Sequence, residues 1–247
     1  MKALILAAGF GKRLRPITNS IPKSMVEVKG TPLLVNSLNN LTDLGITDIG
    51  IVVGHMAGYI RDQIGKEYRG ASIRYYENPR YLETNNVVSL ACASEFCDDD
   101  MLMLECDVYY PREMLERLMT GEGDCSILVS PFNPDTMDGT VIRVDGDRAC
   151  ELILGKWQDP GYDYLNSFKT VNMYRFTKDF TVKFLKLVKW YVENMGEQSY
   201  YEKVLGSLMY LREFDIRTVV VPERMWCEID DAGDLERANN TVFDIVG

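Results

Sequence analysis

Short apolar runs alternate with longer amphipathic segments over the first half of the chain. The apolar runs have the length of strands: "ALILAA", "DIGIVVG", "SIRYYEN" and "MLMLECDV". Between them lie segments with helical periodicity, namely "PLLVNSLNNLTDLG", a stretch from about Ala57 to Glu67, and "NNVVSLACASEF". This alternation favours parallel strands joined by crossover helices. The first half of the chain therefore predicts an α/β sheet.

The pattern changes between about residues 133 and 170. Short runs separated by Gly and Asp, as in "DGTVIRVDGDRACELILG", are typical of antiparallel hairpins. Helical periodicity then returns in "KDFTVKFLKLVKWYVENMG" and "YYEKVLGSLMYL", and "IRTVVVP" has the composition of a strand. We predict a single α/β domain over residues 1–247, with a Rossmann-like, mostly parallel sheet flanked by helices and a small antiparallel β insert or lid at about 133–170.

Three helix starts are predicted from capping residues. Thr31 in front of Pro32 predicts an N-cap followed by a proline at the first helical position. Asn86 is the expected N-cap of the next well-marked helix. Asp231, with Asp234 three residues later, fits a capping box, so we predict a structural role for Asp231.

Composition and charge exclude several classes of function. The 247 residues are 46% hydrophobic, which is ample for a core, and the formal net charge of -10 disfavours binding to nucleic acid. No apolar run approaches the roughly 20 residues that a membrane helix requires. The six cysteines show no C-x-x-C spacing, as expected for a reducing compartment. We expect a cytoplasmic protein without nucleic-acid or membrane partners, and a homodimer is left open.

Cations gather directly behind the first predicted strand, in "LILAAGFGKRLRPITNSIPKSM". Glycines after a strand let backbone N–H groups approach an anion, and Lys and Arg supply positive charge. The segment lacks the Walker A spacing. It also departs from G-x-G-x-x-G, because Leu14 stands where the third glycine would fall. The loop therefore predicts a phosphate site of another kind.

The spacing of this loop resembles the signature of the sugar-nucleotide-type nucleotidyltransferases. The matching residues are Leu6, Ala7, Ala8, Gly9, Gly11, Arg13, Leu14, Pro16, Thr18, Pro22 and Lys23. The resemblance implies that the backbone near Ala8 to Gly11 wraps a nucleoside triphosphate, with Leu6 and Ala7 also counted as nucleotide-binding. It also implies that Arg13 grips the leaving pyrophosphate and that Lys23 reaches the α-phosphate. Lys12 departs from the Thr or Ser usual there and receives no role beyond added charge.

A second segment bears on the nucleobase. The Gln-x-Pro-x-Gly type reader of thymidylyl- and uridylyltransferases is absent, and "NNVVS" resembles the cytidylyltransferases that make CDP-choline and CDP-aminoethylphosphonate. The resemblance implies a base-reading role here. The side chains of Thr84, Asn85, Asn86 and Ser89 offer both donors and acceptors, which a cytosine edge demands. We expect all four to bind CTP.

Two later segments, "KTVNMYRF" and "WCEIDDAGDLERA", also resemble phosphocholine cytidylyltransferase-like enzymes. Asp107 and Asp230 each follow an apolar run, and their carboxylates are predicted to hold Mg²⁺ together with substrate phosphate oxygens. Asp107 thereby also counts as nucleotide-binding. Lys169, Lys23 and Arg13 are the predicted catalytic cations, which position the substrates and neutralise charge.

The sequence identifies the acceptor less closely than the nucleotide. A quaternary ammonium favours aromatic rings with a nearby carboxylate, whereas a primary ammonium favours Asp or Glu. The candidate acceptor-binding residues are Trp157, Tyr162, Tyr164, Lys169, Tyr200, Tyr201, Trp226 and Glu228.

We therefore predict a Mg²⁺-dependent cytidylyltransferase that transfers CMP from CTP to phosphocholine, a phosphonate or another small phosphate. The alternatives are a sugar-1-phosphate nucleotidyltransferase and a non-catalytic nucleotide sensor on the same fold. Retention of Arg13, Lys23, Asp107 and Asp230 argues against the sensor.

Overall fold

The structure is a computed structural model and describes residues 1–133, 137, 139–158 and 161–241. The strands are β1 Lys2–Ala7, β2 Glu27–Val28, β3 Thr31–Pro32, β4 Asp48–Val53, β5 Glu67–Tyr68, β6 Ala71–Glu77, β7 Met101–Glu105, β8 Val108–Tyr109, β9 Cys125–Pro131, β10 Val141–Asp145, β11 Arg148–Ile153, β12 Ser167–Phe176, β13 Ile216–Val220 and β14 Cys227–Glu228. The α-helices are α1 Leu33–Asp43, α2 Ala57–Ile64, α3 Asn86–Cys92, α4 Arg112–Met119, α5 Lys178–Met195, α6 Glu202–Leu211 and α7 Ala232–Asn240.

Ten of the strands form one sheet within the described residues. Their order is β10-β11-β13-β9-β12-β7-β1-β4-β6-β5. The strands β7, β1, β4 and β6 are parallel to their neighbours within this group, and β9 is parallel to β13. The strands at both ends of the order pair antiparallel, as does β12 with β7 and β9. The predicted α/β fold is confirmed, but the sheet is mixed rather than mostly parallel. The antiparallel strand β12 lies between the parallel group β7-β1-β4-β6 and the parallel pair β9 and β13.

Alternate residues of β1 pack into two apolar layers, one on each face of the sheet. Ala3 and Ile5 pack in the layer that includes residues of α1, α2 and α4, whereas Leu4 and Leu6 pack in the layer with α3, α5 and α6. This follows from the two-residue period of a strand. Because β1 is covered on both faces, its sequence is an unbroken apolar run. The rigid centre of the sheet thus carries the glycine loop that follows β1.

The predicted hairpin near residue 141 exists, but its strands belong to the main sheet. The strands β10 and β11 pair antiparallel, β10 also pairs with the start of β12, and β11 contacts β13. The ten-residue strand β12 makes this possible. Its first half pairs with β10, and its last residues pair with β7. The segment therefore extends the sheet, and Lys169 lies inside a strand of that extension.

Helix capping agrees with one of the three sequence-based interpretations. The capping box of Asp231 and Asp234 is present at the start of α7. The prediction for Thr31 and Pro32 was wrong, because both residues form β3 and α1 begins at Leu33 without a side-chain cap. Thr31 instead pairs with Val28 across a two-residue turn.

None of the helices described by the structure is long and apolar enough to cross a membrane.

Candidate active site

The loop after β1 is folded tightly against the segment that carries Lys23. Gly11 has a φ of 68°, and a Cβ built on it would lie 2.9 Å from Lys23 Cβ. The Thr18 hydroxyl donates to the carbonyl oxygen of Gly11 at 2.8 Å. A side chain at position 11 would therefore be strained and would push Lys23 out of place. This close approach explains the second glycine of the loop.

Lys23 joins two carboxylates that are far apart in sequence. Its Nζ lies 2.9 Å from Asp107 Oδ2 and 2.7 Å from Asp230 Oδ1. Arg13 Nη2 lies 2.9 Å from the other oxygen of Asp230. Burial acts to lower the pKa of Lys23, but Asp107 and Asp230 outweigh it and the pKa is raised. The structure thus assembles four of the predicted site residues into one ionised cluster.

Electrostatics keep Asp230 ionised. Burial acts to raise the pKa of Asp230, but Lys23 and Arg13 together hold that pKa below its ordinary value. Asp107 Oδ1 is buried and has no hydrogen-bond partner. A buried carboxylate oxygen without a partner is costly unless a ligand satisfies it. In the described part of the chain, no group of three or more His, Cys, Asp or Glu side chains could hold a metal ion on protein ligands alone.

A cavity of about 320 Å³ opens above this cluster, at the carboxyl ends of β1, β6 and β7. Ligands of open α/β sheets bind at this edge. All predicted nucleotide-binding residues line the cavity, namely Leu6, Ala7, Ala8, Gly9, Gly11, Arg13, Lys23, Thr84, Asn85, Asn86, Ser89 and Asp107. We call it the nucleotide cavity. Tyr81 and Glu105 also line it, and the sequence analysis assigned neither a role.

The N-cap of α3 is the other asparagine of the base-reading segment from the one predicted. Asn85 is the N-cap of α3, and its Oδ1 accepts from the backbone N–H of Asn86 at 2.8 Å. The prediction that Asn86 is the cap was therefore wrong. The side chain of Asn86 instead donates to Glu105 at 3.4 Å and to Glu202 at 3.2 Å, and it accepts from the backbone N–H of Tyr201 at 3.0 Å. Asn86 thus ties α3 to β7 and to the start of α6.

Glu105 is a half-buried carboxylate that sequence reasoning missed. Besides Asn86 it accepts a hydrogen bond from the Tyr201 hydroxyl at 2.8 Å, and Asn172 lies 3.5 Å away. Burial raises the pKa of Glu105 well above its ordinary value, and the charges of Asp107 and Glu202 add to the effect. The sequence feature that could have identified Glu105 is its position as a charged residue inside the apolar run "MLMLECDV". Such residues are rarely buried without a partner or a function.

A second, larger cavity of about 790 Å³ adjoins the first, and Arg13 and Asp230 line both. Its lining includes four of the predicted acceptor-binding residues, Tyr164, Lys169, Tyr200 and Glu228. It also includes residues without a predicted role, among them Phe132, Gln158, Asn172 and Glu202. We call it the acceptor cavity. The shared lining means that a group bound there lies next to the Lys23 cluster.

Lys169 lies in the wall of the acceptor cavity and forms an ion pair with Glu228, at 3.1 Å between Nζ and Oε2. The lysine side chain is only 4% exposed. Burial acts to lower its pKa, but Glu228, Asp107 and Glu105 together raise it. The lysine therefore stays charged. A Cβ on Gly139 would lie 3.1 Å from this Nζ, so the absence of a side chain there leaves room for the ammonium group.

Four predicted acceptor residues do not line this cavity. Tyr162 contacts the ring of Tyr164, which does line it, and the other three are Trp157, Tyr201 and Trp226. Trp157 is half exposed on another surface, where the ammonium groups of Lys156 and Lys203 lie over its ring. Tyr201 is fully buried and contacts Tyr174 edge to face, and its hydroxyl donates to Glu105 rather than facing the acceptor cavity.

Trp226 is also buried, within the apolar layer that contains Val171 and Val221. It also lines a further cavity of about 740 Å³ together with Arg13, Lys169, Glu228 and Asp230, so it adjoins the same cluster from another side. Trp157 and Tyr201 thus belong to the surface and the core, whereas Trp226 stays close to the predicted site.

Glu202 is an acidic residue of the acceptor cavity whose pKa lies near neutral pH. It begins α6 and is 5% exposed. Burial raises its pKa to about 7, although the backbone N–H at the helix start, Asn86 and Lys169 act in the opposite direction. The cavity therefore presents one buried cation, Lys169, and two acidic side chains, Glu202 and Glu228. This charge pattern is complementary to a zwitterion with an anionic end and a cationic end.

Comparisons with known proteins agree with this geometry. A family model described as "Nucleotidyl transferase" matches residues 2–203. A 2-aminoethylphosphonate cytidylyltransferase of Lancefieldella rimae is 33% identical over 249 residues, which cover 94% of this chain and 89% of that protein. A CMP-5'-(3-aminopropyl)phosphonate synthase of Streptomyces rubellomurinus is 31% identical over 97% of this chain, and the chain spans 38% of that protein's length. The solved CTP:phosphocholine cytidylyltransferase of Streptococcus pneumoniae shares the fold, with a TM-score of 0.74, 20% identity and 97% coverage of both chains.

Proposed function

The chain belongs to the nucleotidyl transferase family, and we propose that it transfers CMP from CTP to a small phosphonate or phosphate acceptor that carries an ammonium group. One observation carries the proposal. The nucleotide cavity and the acceptor cavity meet at Arg13 and Asp230, beside the ion pairs of Lys23. Two substrates bound in these cavities would bring an acceptor oxygen towards the α-phosphorus of the nucleotide.

The reaction needs no nucleophilic side chain. A phosphate or phosphonate with a second pKa of about 6 is largely ionised at neutral pH and attacks directly. The acceptor oxygen forms a bond to the α-phosphorus, the bond from that phosphorus to the bridging oxygen breaks, and pyrophosphate leaves. Arg13 and Lys23 border the triphosphate side, and Lys169 borders the acceptor side. These three cations position the two substrates and neutralise the charge of their phosphate groups.

The residues present fit a magnesium ion. Mg²⁺ prefers hard oxygen ligands and is commonly held by one or two carboxylates plus substrate phosphates. Asp107, with its unpartnered buried Oδ1, and Asp230 supply such oxygens around one point, because both contact Lys23 Nζ. When bound, the ion would neutralise charge on the triphosphate. Asp107 and Asp230 are the residues that would hold it.

The acceptor class follows from the charges of its cavity. Lys169 suits the phosphonate or phosphate end, and Glu202 and Glu228 suit a primary ammonium that donates hydrogen bonds. The two relatives named above are called an aminoethylphosphonate cytidylyltransferase and an aminopropylphosphonate nucleotide synthase. We therefore favour an aminoalkylphosphonate over phosphocholine. We also propose that the enzyme acts in the cytoplasm, because all six cysteines are unpaired thiols.

Pyrophosphate release tests this proposal. The purified protein is incubated with Mg²⁺, each of the four nucleoside triphosphates, and a panel of aminoethylphosphonate, aminopropylphosphonate, phosphocholine, phosphoethanolamine and glucose 1-phosphate. We expect the highest kcat/KM with CTP and an aminoalkylphosphonate. Turnover confined to UTP or dTTP with glucose 1-phosphate would favour the sugar-1-phosphate alternative, and no turnover with any pair would favour a nucleotide sensor.

A further inference from the structure

Asn78 is a buried residue directly behind the base-reading end of the nucleotide cavity. It follows β6 and is 1% exposed. Its amide Nδ2 donates to the hydroxyl of Thr84 and to the hydroxyl of Ser89, each at 3.0 Å. Thr84 and Ser89 line the nucleotide cavity, whereas Asn78 does not. Asn78 therefore acts on any ligand through these two hydroxyls.

The orientation of the Asn78 amide is fixed by the backbone. The N–H of Arg80 donates to Asn78 Oδ1 at 3.0 Å, and a backbone N–H can only donate. The oxygen of the amide therefore faces Arg80, and the nitrogen faces the two hydroxyls. Each amide hydrogen of Asn78 is used by one hydroxyl, so Thr84 and Ser89 must each accept one hydrogen bond.

The two hydroxyls then differ in what they can still offer a ligand. The Thr84 hydroxyl donates its own hydrogen to the carbonyl oxygen of Arg80 at 2.8 Å. Only a lone pair of Thr84 remains, so Thr84 can only accept. No residue in the described chain accepts the hydrogen of Ser89. Ser89 therefore remains able to donate.

We propose that Asn78 is a positioning residue that makes the nucleotide cavity select cytosine over uracil, by holding the Thr84 hydroxyl as an acceptor beside the Ser89 hydroxyl, which keeps a hydrogen to donate. This inference rests on the proposed use of CTP. Cytosine presents an amino donor at N4 beside an acceptor at N3, whereas uracil presents an acceptor at O4 beside a donor at N3. The fixed hydroxyl pair matches cytosine. Against uracil it sets a lone pair opposite O4, and a site built for one hydrogen-bond pattern rejects the other.

The surrounding loop is held so that the hydroxyls cannot easily reverse. Arg80 forms two hydrogen bonds to the carboxylate of Glu197, both at 2.8 Å. The backbone N–H of Asn85 donates to the carbonyl oxygen of Glu197 at 2.9 Å. The segment from Arg80 to Asn85 is therefore anchored at both ends to the chain in front of α6. To donate to O4 of uracil, the Thr84 hydroxyl would have to give up its hydrogen bond to the carbonyl oxygen of Arg80, which this anchored loop holds in place.

The test compares CTP and UTP in two variants, with one acceptor and by pyrophosphate release. Asn78→Asp keeps the shape but replaces the donating nitrogen with an oxygen that accepts from Ser89, so Ser89 no longer donates to the base. Thr84→Val removes the acceptor. In each variant we expect the ratio of kcat/KM for CTP to that for UTP to fall about tenfold or more, as for the loss of one base-specific hydrogen bond. If Asn78→Asp fails to fold, Asn78→Ser, which lacks both amide hydrogens, takes its place, because Thr84→Val tests Thr84 and not Asn78.

The control is Asn40→Asp, because Asn40 is another buried asparagine, which donates to the carbonyl oxygen of Tyr110 away from both cavities. We expect it to lower the unfolding temperature without changing the CTP to UTP ratio. If the wild-type protein prefers CTP but the folded variants keep its ratio, the role of Asn78 is wrong and the proposed function stands. If the wild-type protein prefers UTP, both proposals are wrong.

Discussion

The nucleotide cavity and the acceptor cavity differ in how far their residues lie apart along the chain. The nucleotide cavity is built largely from the loops that follow β1, β6 and β7, each a short continuous segment with its own motif. The acceptor cavity draws on the segments that follow β9 and β11, on β12, on the start of α6 and on β14. All predicted nucleotide-binding residues line the first cavity, whereas Trp157, Tyr201 and Trp226 do not line the second. A continuous loop motif can thus be located from sequence, whereas a site assembled by tertiary pairing is located only in part.

The largest expected effect concerns the point where the two cavities meet. Asp107→Asn and Asp230→Asn should each lower kcat on the order of 10³-fold, because each removes a charge that faces Lys23 and the proposed metal. Steady-state pyrophosphate release measures the effect, and thermal unfolding shows whether the variants fold. A folded variant with near-normal kcat would mean that its carboxylate serves only the Lys23 ion pair.

Long-range geometry also explains which parts of the fold the sequence could not predict. The α/β class and the placement of Asp107 follow from apolar periodicity and from a strand end, both of which are local. The joining of Lys23 to Asp230 depends on how the chain near α7 returns to the glycine loop, which no local pattern encodes. The β10–β11 hairpin likewise had a clear local signal, but its place in the sheet depends on the length of β12.

The acceptor cavity contains one cation whose removal should affect chemistry more than nucleotide binding. Lys169→Ala should lower kcat by about 100-fold with little change in CTP affinity, because Lys169 lines the acceptor cavity and not the nucleotide cavity. Steady-state kinetics and calorimetric titration of CTP with Mg²⁺ separate the two quantities. Lys203→Ala, on the surface beside Trp157, serves as the control. A large loss of CTP affinity in Lys169→Ala would move this lysine to the nucleotide site.

The buried acid Glu202 should make acceptor binding depend on pH. With a pKa of about 7 it is mostly neutral below that pH and ionised above it. The KM for an aminoalkylphosphonate should therefore fall as the pH rises from about 6 to about 8, and Glu202→Gln should remove most of this fall and raise KM about tenfold at the higher pH.

The pH dependence of protein stability measures the titration of Glu202 independently. Because burial raises the pKa of Glu202 above its ordinary 4.5, its contribution to stability is complete below about pH 4.5 and is lost as the pH rises through about 7. Glu202→Gln should remove this loss, so thermal unfolding of the variant should depend less on pH. An unchanged pH dependence in both assays would mean that Glu202 does not titrate in this range.

The smallest effect is expected for substitution of Asp231, which is next to Asp230 in the chain. This substitution should leave the catalytic cluster intact. Asp231→Ala should lower the free energy of unfolding by about 1 kcal/mol, because the side chain caps α7, while turnover stays close to that of the wild-type protein. Chemical denaturation and pyrophosphate release measure the two effects. A stable but inactive Asp231→Ala would show that the roles of Asp230 and Asp231 are exchanged.

Following the label of the nucleotide tests the central claim, transfer of CMP between the two cavities, most directly. The protein is incubated with aminoethylphosphonate, Mg²⁺ and CTP labelled with ³²P at either the α- or the γ-phosphate, and the products are separated. We expect the α-label in a product that also contains the acceptor, and the γ-label in pyrophosphate. Transfer of the γ-label to the acceptor, or release of the α-label as free CMP alone, would contradict the proposed reaction.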